Sequence, residues 1–429
     1  MPVATTREAT PWLPHPGVDA HPRGSWLLAL GFDLWISAFY RRTVVVPPDF
    51  HIAPGTLIAS NHQRDVDGPM LGTVLVRRRA LHFEWPLPFF ATREDLFRSG
   101  ILARLTVRWP RPVSALLGRV SLAWFFPLGH AEPMRRIREF TLGETLRALV
   151  DAGYGDADCA TLLNARGRRA TGITPGALSV RAAVARRDLP LEGWWGLRKI
   201  TCAALAQLAP TFRATIDAQL AHFARRLDAG SCVYFAPEGT ISRNGRFGRI
   251  RAGFFRLARM ARVAPWIQPM ALTYDVLGPG RPRVVVRIGD AFHADAGLER
   301  GAFDAMLKQA VTALAAVTPS HLLARFLLHG PATFTQDQLA GWIAQALATL
   351  RDNQRPLDPL FAHVRLAALV RNRVRWLERQ RLVVRAGGHF RNVCPRDAAP
   401  CWHTRAGIAR YLDNNLGDLV HDTAQTLPC

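Results

Sequence analysis

The sequence predicts an α/β protein: a mixed sheet flanked by helices, followed by a mainly helical C-terminal region. Three observations lead there. Short apolar, β-like runs at Thr56–Ser60, Ser231–Ala236, Ile267–Tyr274 and Arg283–Ile288 are separated by long helical segments. From about residue 300 onward the text is largely helical. Apolar residues make up 49% of the chain and charged ones 21%, a balance that supplies a core and argues against wholesale disorder.

In chain order, residues 1–24 read as a disordered leader, rich in Pro and His and without the apolar core of a signal peptide. Residues 25–49 hold the first apolar helix, running to Arg41-Arg42; Ser25 to Tyr40 is apolar apart from Asp33. A second apolar stretch, Val113 to Gly129, is interrupted by Arg119. Both fall short of the ~20 uncharged residues a spanning helix needs, so a helix lying in the membrane interface competes with an ordinary buried helix. Residues 50–298 form the α/β domain, with an insertion at about 140–190 that opens on a helix candidate, Thr141–Ala152. Residues 299–429 form the helical C-terminal domain. There Thr335 and Gln338 make a capping box for a helix reaching about Leu350, a loop runs from Asn353 to Pro359, and a basic helix spans Leu366 to Arg381. Leu382 to Phe390 reads as a hairpin with glycines at its turn, and helix, helix, hairpin is also the outline of a winged helix.

The net charge is +22, and all but two of the 55 basic residues are arginine, the lysines being Lys199 and Lys308. Arginine over lysine is what a high-GC genome encodes; the excess over Asp and Glu favours an anionic partner, whether phospholipid head groups, nucleic acid or a phosphorylated substrate. The six cysteines contain no CxxC pair and read as reduced and cytosolic. Cys394, Cys401 and His403, with His389 upstream, lie close in sequence but at spacings that fit no standard zinc pattern, so no metal is assigned.

The strongest local signal is Ser60-Asn61-His62-Gln63-Arg64-Asp65-Val66-Asp67-Gly68-Pro69, between a β-like run and a helix-like run. His62 therefore sits at a strand-to-helix junction, where α/β proteins place reactive groups. Asp67, five residues on, can reach one imidazole nitrogen across the turn and leave the other to take a proton from a hydroxyl, which is general-base chemistry. His-x4-Asp alone is a weak signal in a chain with 14 histidines. The second signal is Val233-Tyr234-Phe235-Ala236-Pro237-Glu238-Gly239-Thr240-Ile241-Ser242-Arg243-Asn244-Gly245-Arg246, a strand running into a turn with one carboxylate, two glycines and two arginines. Glycine admits close approach of a ligand to the backbone, arginine grips phosphate, and Glu238 can accept from a polyol; alone, the loop would read as a basic surface turn.

Together the two texts resemble the glycerolipid acyltransferase superfamily, which includes glycerol-3-phosphate and lysophosphatidate acyltransferases. The resemblance implies that His62 and Asp67 activate the acceptor hydroxyl and that Glu238, Gly239 and Thr240 with Arg243 bind the acceptor phosphate. Pro265 to Tyr274 resembles the family's fourth block, with Pro269 expected to line the acyl site, and Thr92 to Phe97 resembles text found between the first two blocks. Ile241 departs from the family, which has arginine directly after PEGT. The family's second, arginine-bearing block has candidates in Arg135 and Arg136 and in Arg198. Phe326 to Gly330, and Tyr411 with Asn414 and Asn415, resemble the C-terminal region of the larger glycerol-3-phosphate acyltransferases.

The implied reaction moves a fatty acyl group from acyl-CoA or acyl carrier protein, as co-substrate, to glycerol-3-phosphate or lysophosphatidate in phospholipid biosynthesis, without a cofactor. The implied location is the cytoplasmic face of the membrane, peripheral or monotopic, on anionic lipids. The C-terminal likeness favours glycerol-3-phosphate and the compact PEGT text favours lysophosphatidate. Two alternatives stand beside it: a basic nucleic-acid-binding protein acting through the C-terminal region, with nucleic acid the disfavoured partner because it leaves both motifs unexplained, and an inactive membrane-bound member of the same fold. The acyltransferase reading requires His62 and Glu238 in one cleft.

Overall fold

The computed structural model describes residues 22–48, 50–75, 78–79, 82–83, 88–97, 125–135, 140–186, 188–189, 191, 199–293, 295 and 297–419. Residues 1–21 and most of the second apolar stretch lie outside this set. The described residues between 92 and 97 and between 132 and 223 form one compact unit; those between 22 and 91, 125 and 131, and 224 and 419 form another.

The second unit is built on a mixed sheet. Its strands include β1 (Arg41–Val45), β2 (Thr56–Ser60), β3 (Phe89–Arg93, of which residues 89–91 belong to this unit), β4 (Val233–Tyr234), β5 (Trp266–Asp275), β6 (Arg283–Ile288) and β7 (Phe292–His293). Spatial order runs β1-β6-β5-β2-β4-β3, with β7 pairing the start of β5. β5 and β6 are antiparallel, and the other neighbours on that path are parallel. β2 is buried at every position and β5 at all but its first, the near-continuous apolar pattern expected of strands covered on both faces. Ile58, Met70, Leu71, Met270, Leu272 and Val286 lie in the core along this sheet. Pro269 pairs with Ala59 of β2. A proline removes a ladder donor from a central strand. Here it stands one residue beyond the point where the antiparallel ladder with β6 ends, at Met270 opposite Ile288, and Gln268 Nε2 donates to the Gly289 carbonyl at 2.6 Å beside it.

The first helix ends earlier than its sequence reads. It spans Pro22–Phe39, and Arg41-Arg42 begin β1 instead of closing the helix. The β-branched run Thr43-Val44-Val45 wins, pairing in register with 283–287. Arg42 then reaches back to Asp33 at 2.6 Å, which explains how an acid sits in an otherwise apolar helix.

Beyond the sheet, helices Pro319–His329 and Arg405–Leu419 pack together, and Leu322, Phe326, Leu339, Val374, Leu412 and Leu416 belong to one core. Thr335 caps the helix Gln336–Asp352 through the expected box with Gln338. The helix Leu366–Arg379 is followed by a hairpin, Val383–Ala386 with His389–Asn392, and Thr333–Phe334 completes a three-stranded sheet. That order, helix–strand–helix–helix–hairpin, is the winged-helix order. Arg373 from its third helix pairs with buried Asp275 at the end of β5 at 2.5 Å.

The other unit contains the 140–190 stretch. Its polar text conceals a core of short helices: Leu142–Leu149, Cys159–Leu162, Ala165–Thr171 and Val180–Ala185. Thr141, Asp158, Asn164 and Ser179 cap them in turn through their side chains. Phe140 stacks on Phe212 with centroids 3.8 Å apart.

Candidate active site

β2 ends at Ser60, and the chain turns into the helix Asp67–Leu75. Asn61 continues the ladder with its side chain, accepting from Leu272 N and donating to Leu272 O, each at 2.8 Å. The turn is thereby stitched to β5, and the next residue, His62, stands at its apex. Asp67, fully buried at the start of the helix, accepts through Oδ2 from Gln63 N at 2.6 Å and Arg64 N at 2.8 Å. The same oxygen lies 3.0 Å from His62 Nδ1. Because Oδ2 is a pure acceptor when ionised, it selects the Nδ1–H tautomer and leaves Nε2 with its lone pair. Oδ1 accepts from the Tyr274 hydroxyl, itself fully buried at the end of β5. Burial beside Asp67 pushes that phenol well above its ordinary range, so it remains a donor.

The Glu238 turn meets the His62 turn directly. Glu238 Oε1 accepts from His62 N at 3.0 Å and Oε2 from Gly248 N at 2.7 Å, and Ser242 N donates to His62 O at 2.8 Å. A Cβ on Gly248 would lie 2.9 Å from Oε2, which is one reason a glycine stands there. Both carboxylate oxygens thus engage the backbone, so Glu238 ties turn to turn. Burial pushes its carboxyl up to about 7, against the pull of the Gly248 and His62 amides. Gly239 takes a left-handed φ of 61°, as the turn requires. Thr240 and Arg243 are exposed on the same turn, with Arg246 exposed three residues on. A small, water-sized pocket opens there between Gln63, Glu238, Ser242, Arg246, Asn415 and Asp418.

The remaining expected residues are distributed otherwise. Pro269 is buried within β5. Arg136 and Arg198 lie outside the described residues. Arg135, weighed for the same role, is only 5% exposed and its guanidinium is held by Glu94 and by Glu144 at 3.1 Å within its own unit. Among the described residues no group of three or more His, Cys, Asp or Glu is placed to hold a metal ion.

Sequence reasoning missed three features. Tyr274 stands out in the sequence only as the end of a strand and of the Pro265–Tyr274 block, although a tyrosine inside a buried strand needs a partner for its hydroxyl. Arg64 lies over three rings, 4.5 Å from Trp402, 5.4 Å from Tyr274 and 5.7 Å from Tyr40. Trp402 comes from the far C-terminal region, and no local pattern announces it. The third feature is the hold of the C-terminal helix on the Ser242–Gly245 segment, where Asn414 Nδ2 donates to Asn244 O at 2.9 Å.

The sheet thus carries a His–Asp pair on one turn and fastens it to an arginine-bearing turn. Residues 189–273 match the model of the Acyltransferase family, the glycerolipid type. The matched stretch carries β4, the Glu238 turn and most of β5; the His62 turn lies outside it. The match supports an acyltransferase as the class of enzyme. No curated protein matches the chain significantly.

Proposed function

We propose that the protein is a membrane-surface acyltransferase that moves a fatty acyl group from a thioester, acyl-CoA or acyl carrier protein, to a hydroxyl of glycerol-3-phosphate or lysophosphatidate. One observation carries this reading: the imidazole whose Nδ1 faces Asp67 at 3.0 Å stands on the turn that Glu238 fastens to the Arg243 loop. His62 Nε2 takes the hydroxyl proton as the acceptor oxygen attacks the thioester carbonyl. A C–O bond forms, the C–S bond breaks, and the departing thiolate recovers the proton from the imidazolium. Asp67 stabilises that imidazolium while it exists. Arg243 and Arg246, exposed beside the dyad's turn, are the cations proposed to hold the acceptor phosphate.

Location at the cytoplasmic face of the membrane belongs to the same proposal. In the helix Pro22–Phe39 the exposed residues Leu27, Leu34, Trp35 and Phe39 share one face. Among the described residues no helix is long and apolar enough to cross a membrane, so an interfacial mode is the one proposed. The winged-helix order of the C-terminal elements offers a scaffold to the nucleic-acid alternative. The acyltransferase reading is preferred because the last helix of that region is fastened to the candidate site.

The test is transfer from labelled acyl-CoA by the purified full chain to a panel of glycerol-3-phosphate, lysophosphatidate and other lysolipids. Turnover is expected with at least one phosphate-bearing acceptor, and His62→Ala is expected to lower it by about 10³-fold or more while the protein stays folded. Near-normal turnover in folded His62→Ala removes the catalytic assignment.

A further inference from the structure

The turn that carries Arg243 and Arg246 satisfies only part of its own backbone, with Ser242 Oγ accepting from Gly245 N at 3.0 Å and donating to Arg246 O at 2.8 Å. Four of its polar groups are met by one helix, Arg405–Leu419. Tyr411 Oη donates to Ser242 O at 3.4 Å, Asn414 Nδ2 to Asn244 O at 2.9 Å and Asn415 Nδ2 to Gly245 O at 2.8 Å. Asp418 Oδ2 accepts from Phe247 N at 2.6 Å. Positions 411, 414, 415 and 418 follow the i, i+3, i+4, i+7 spacing of a single helix face. The approach is close: Gly245 has φ 88°, and a Cβ there would come within 2.0 Å of the Tyr411 carbonyl oxygen.

The helix face is itself oriented from beneath. His321 is fully buried, and its Nδ1 accepts from Thr318 N at 3.1 Å, so the ring proton resides on Nε2. Nε2–H donates to Asn415 Oδ1 at 2.8 Å, which turns the Asn415 amide so that its NH₂ meets Gly245 O. On the other side of the turn, Ser242 N donates to His62 O at 2.8 Å. A continuous hydrogen-bonded path therefore runs from His321 through Asn415 and the turn to the backbone of His62.

We propose that the helix Arg405–Leu419 is a positioning element of the active site. Asn414, Asn415, Asp418 and Tyr411 hold the 242–247 turn in place, and with it the two arginines that meet the acceptor phosphate. They touch no reacting atom; their effect falls on acceptor binding and leaves donor binding alone. The kinetic part of this inference rests on the acyltransferase reading. The structural part, that these side chains fix the turn, stands apart from it.

The experiment uses the full chain with two variants. Asn415→Asp keeps the size but sets a carboxyl oxygen against the Gly245 carbonyl; Asn414→Ala, at a half-buried site, is the milder change should the first fail to fold. Two readouts are taken on each. The first is limited trypsin cleavage, expected to rise at least fivefold after Arg243 and Arg246 and to stay unchanged after Arg375, an exposed arginine remote in sequence from the turn. The second is steady-state kinetics, expected to show acceptor KM up tenfold or more with acyl-CoA KM within twofold. Unchanged cleavage in the turn, cleavage that rises equally after Arg375, or a donor KM that climbs with the acceptor KM each overturns the proposal. If the wild-type chain transfers no acyl group, the acyltransferase reading falls, and the cleavage pattern still decides whether the helix fixes the turn.

Discussion

At the scale of residues, the dyad is more than a histidine near an aspartate. Asp67 has no exposed surface and its two oxygens accept from His62, Gln63, Arg64 and Tyr274, so the carboxylate has one orientation and passes it to the imidazole. Asp67→Asn puts an amide where an acceptor is required, and one orientation of it presents NH₂ to Nδ1–H. The expected loss in kcat is about 10³- to 10⁴-fold, by the logic of a His held in the wrong tautomer. Tyr274→Phe removes one donor from four and keeps the packing; its expected cost is about tenfold in kcat, with acceptor KM little changed. Steady-state kinetics at saturating donor checks both, and an Asp67→Asn enzyme as fast as wild type would remove the carboxylate from the mechanism. The His–Asp spacing was legible because five residues suffice to cross one turn. Tyr274 was not, because its distance from Asp67 in sequence spans most of the sheet's connections and only the register of β2 against β5 brings them together.

At the scale of elements, legibility followed local chemistry. β2, β6 and the Thr335 cap were readable from apolar runs and from a box complete within four residues. β1 was misread, since Arg41-Arg42 after an apolar helix looks like an interfacial flank, and what decides for a strand is the distant partner at 283–287. The 140–190 core was masked by arginines and glycines because its helices are four to eight residues long, too short to display an apolar period. The first helix leaves its own prediction. Leu34 and Trp35 are 63% and 41% exposed on the face shared with Leu27 and Phe39, an apolar stripe that water does not favour. Full burial of an exposed leucine-sized side chain contributes about 1.5–3 kcal/mol, and these partly exposed ones contribute a fraction of that each in the interface. The double change Leu34→Glu, Trp35→Glu is therefore expected to weaken binding to vesicles of anionic phospholipid by at least about tenfold, measured by co-sedimentation at fixed ionic strength. Equal sedimentation of variant and wild type would separate this helix from any membrane contact.

For the molecule as a whole, the C-terminal region reads in sequence as an appended helical domain, with a winged-helix outline and a faint Tyr-x-x-Asn-Asn likeness. What the sequence cannot display is that this region shares buried polar groups with the sheet and the site: Asp275 at the end of β5 accepts from Ser320 and pairs with Arg373, while His321 reaches Asn415. Stability should register that sharing through two buried groups shifted in opposite directions. Burial holds the His321 imidazole down at about 4, against the nearby Asn415, Asp275 and Asp413, whereas an unfolded histidine titrates near 6.5. Between those pH values the unfolded chain binds the extra proton, so the contribution of neutral His321 is full above about pH 6.5 and is lost as pH falls toward 4. Glu238 behaves oppositely: its folded carboxyl holds a proton up to about 7 where the unfolded one releases it near 4.5, so its contribution is present at low pH and lost as pH rises through that window. The two slopes offset each other in the wild-type chain between about pH 5 and 6.5. Replacing His321 with Gln removes one of them, and stability should then fall as pH rises, with the slope changed by up to about 1.4 kcal/mol per pH unit relative to wild type. Urea unfolding followed by tryptophan fluorescence at pH 4.5, 5.5, 6.5 and 7.5 measures it. A His321→Gln chain whose stability tracks the wild type across all four would mean that the imidazole is not held neutral in the folded core, and the path from His321 to the Gly245 carbonyl would lose its fixed tautomer.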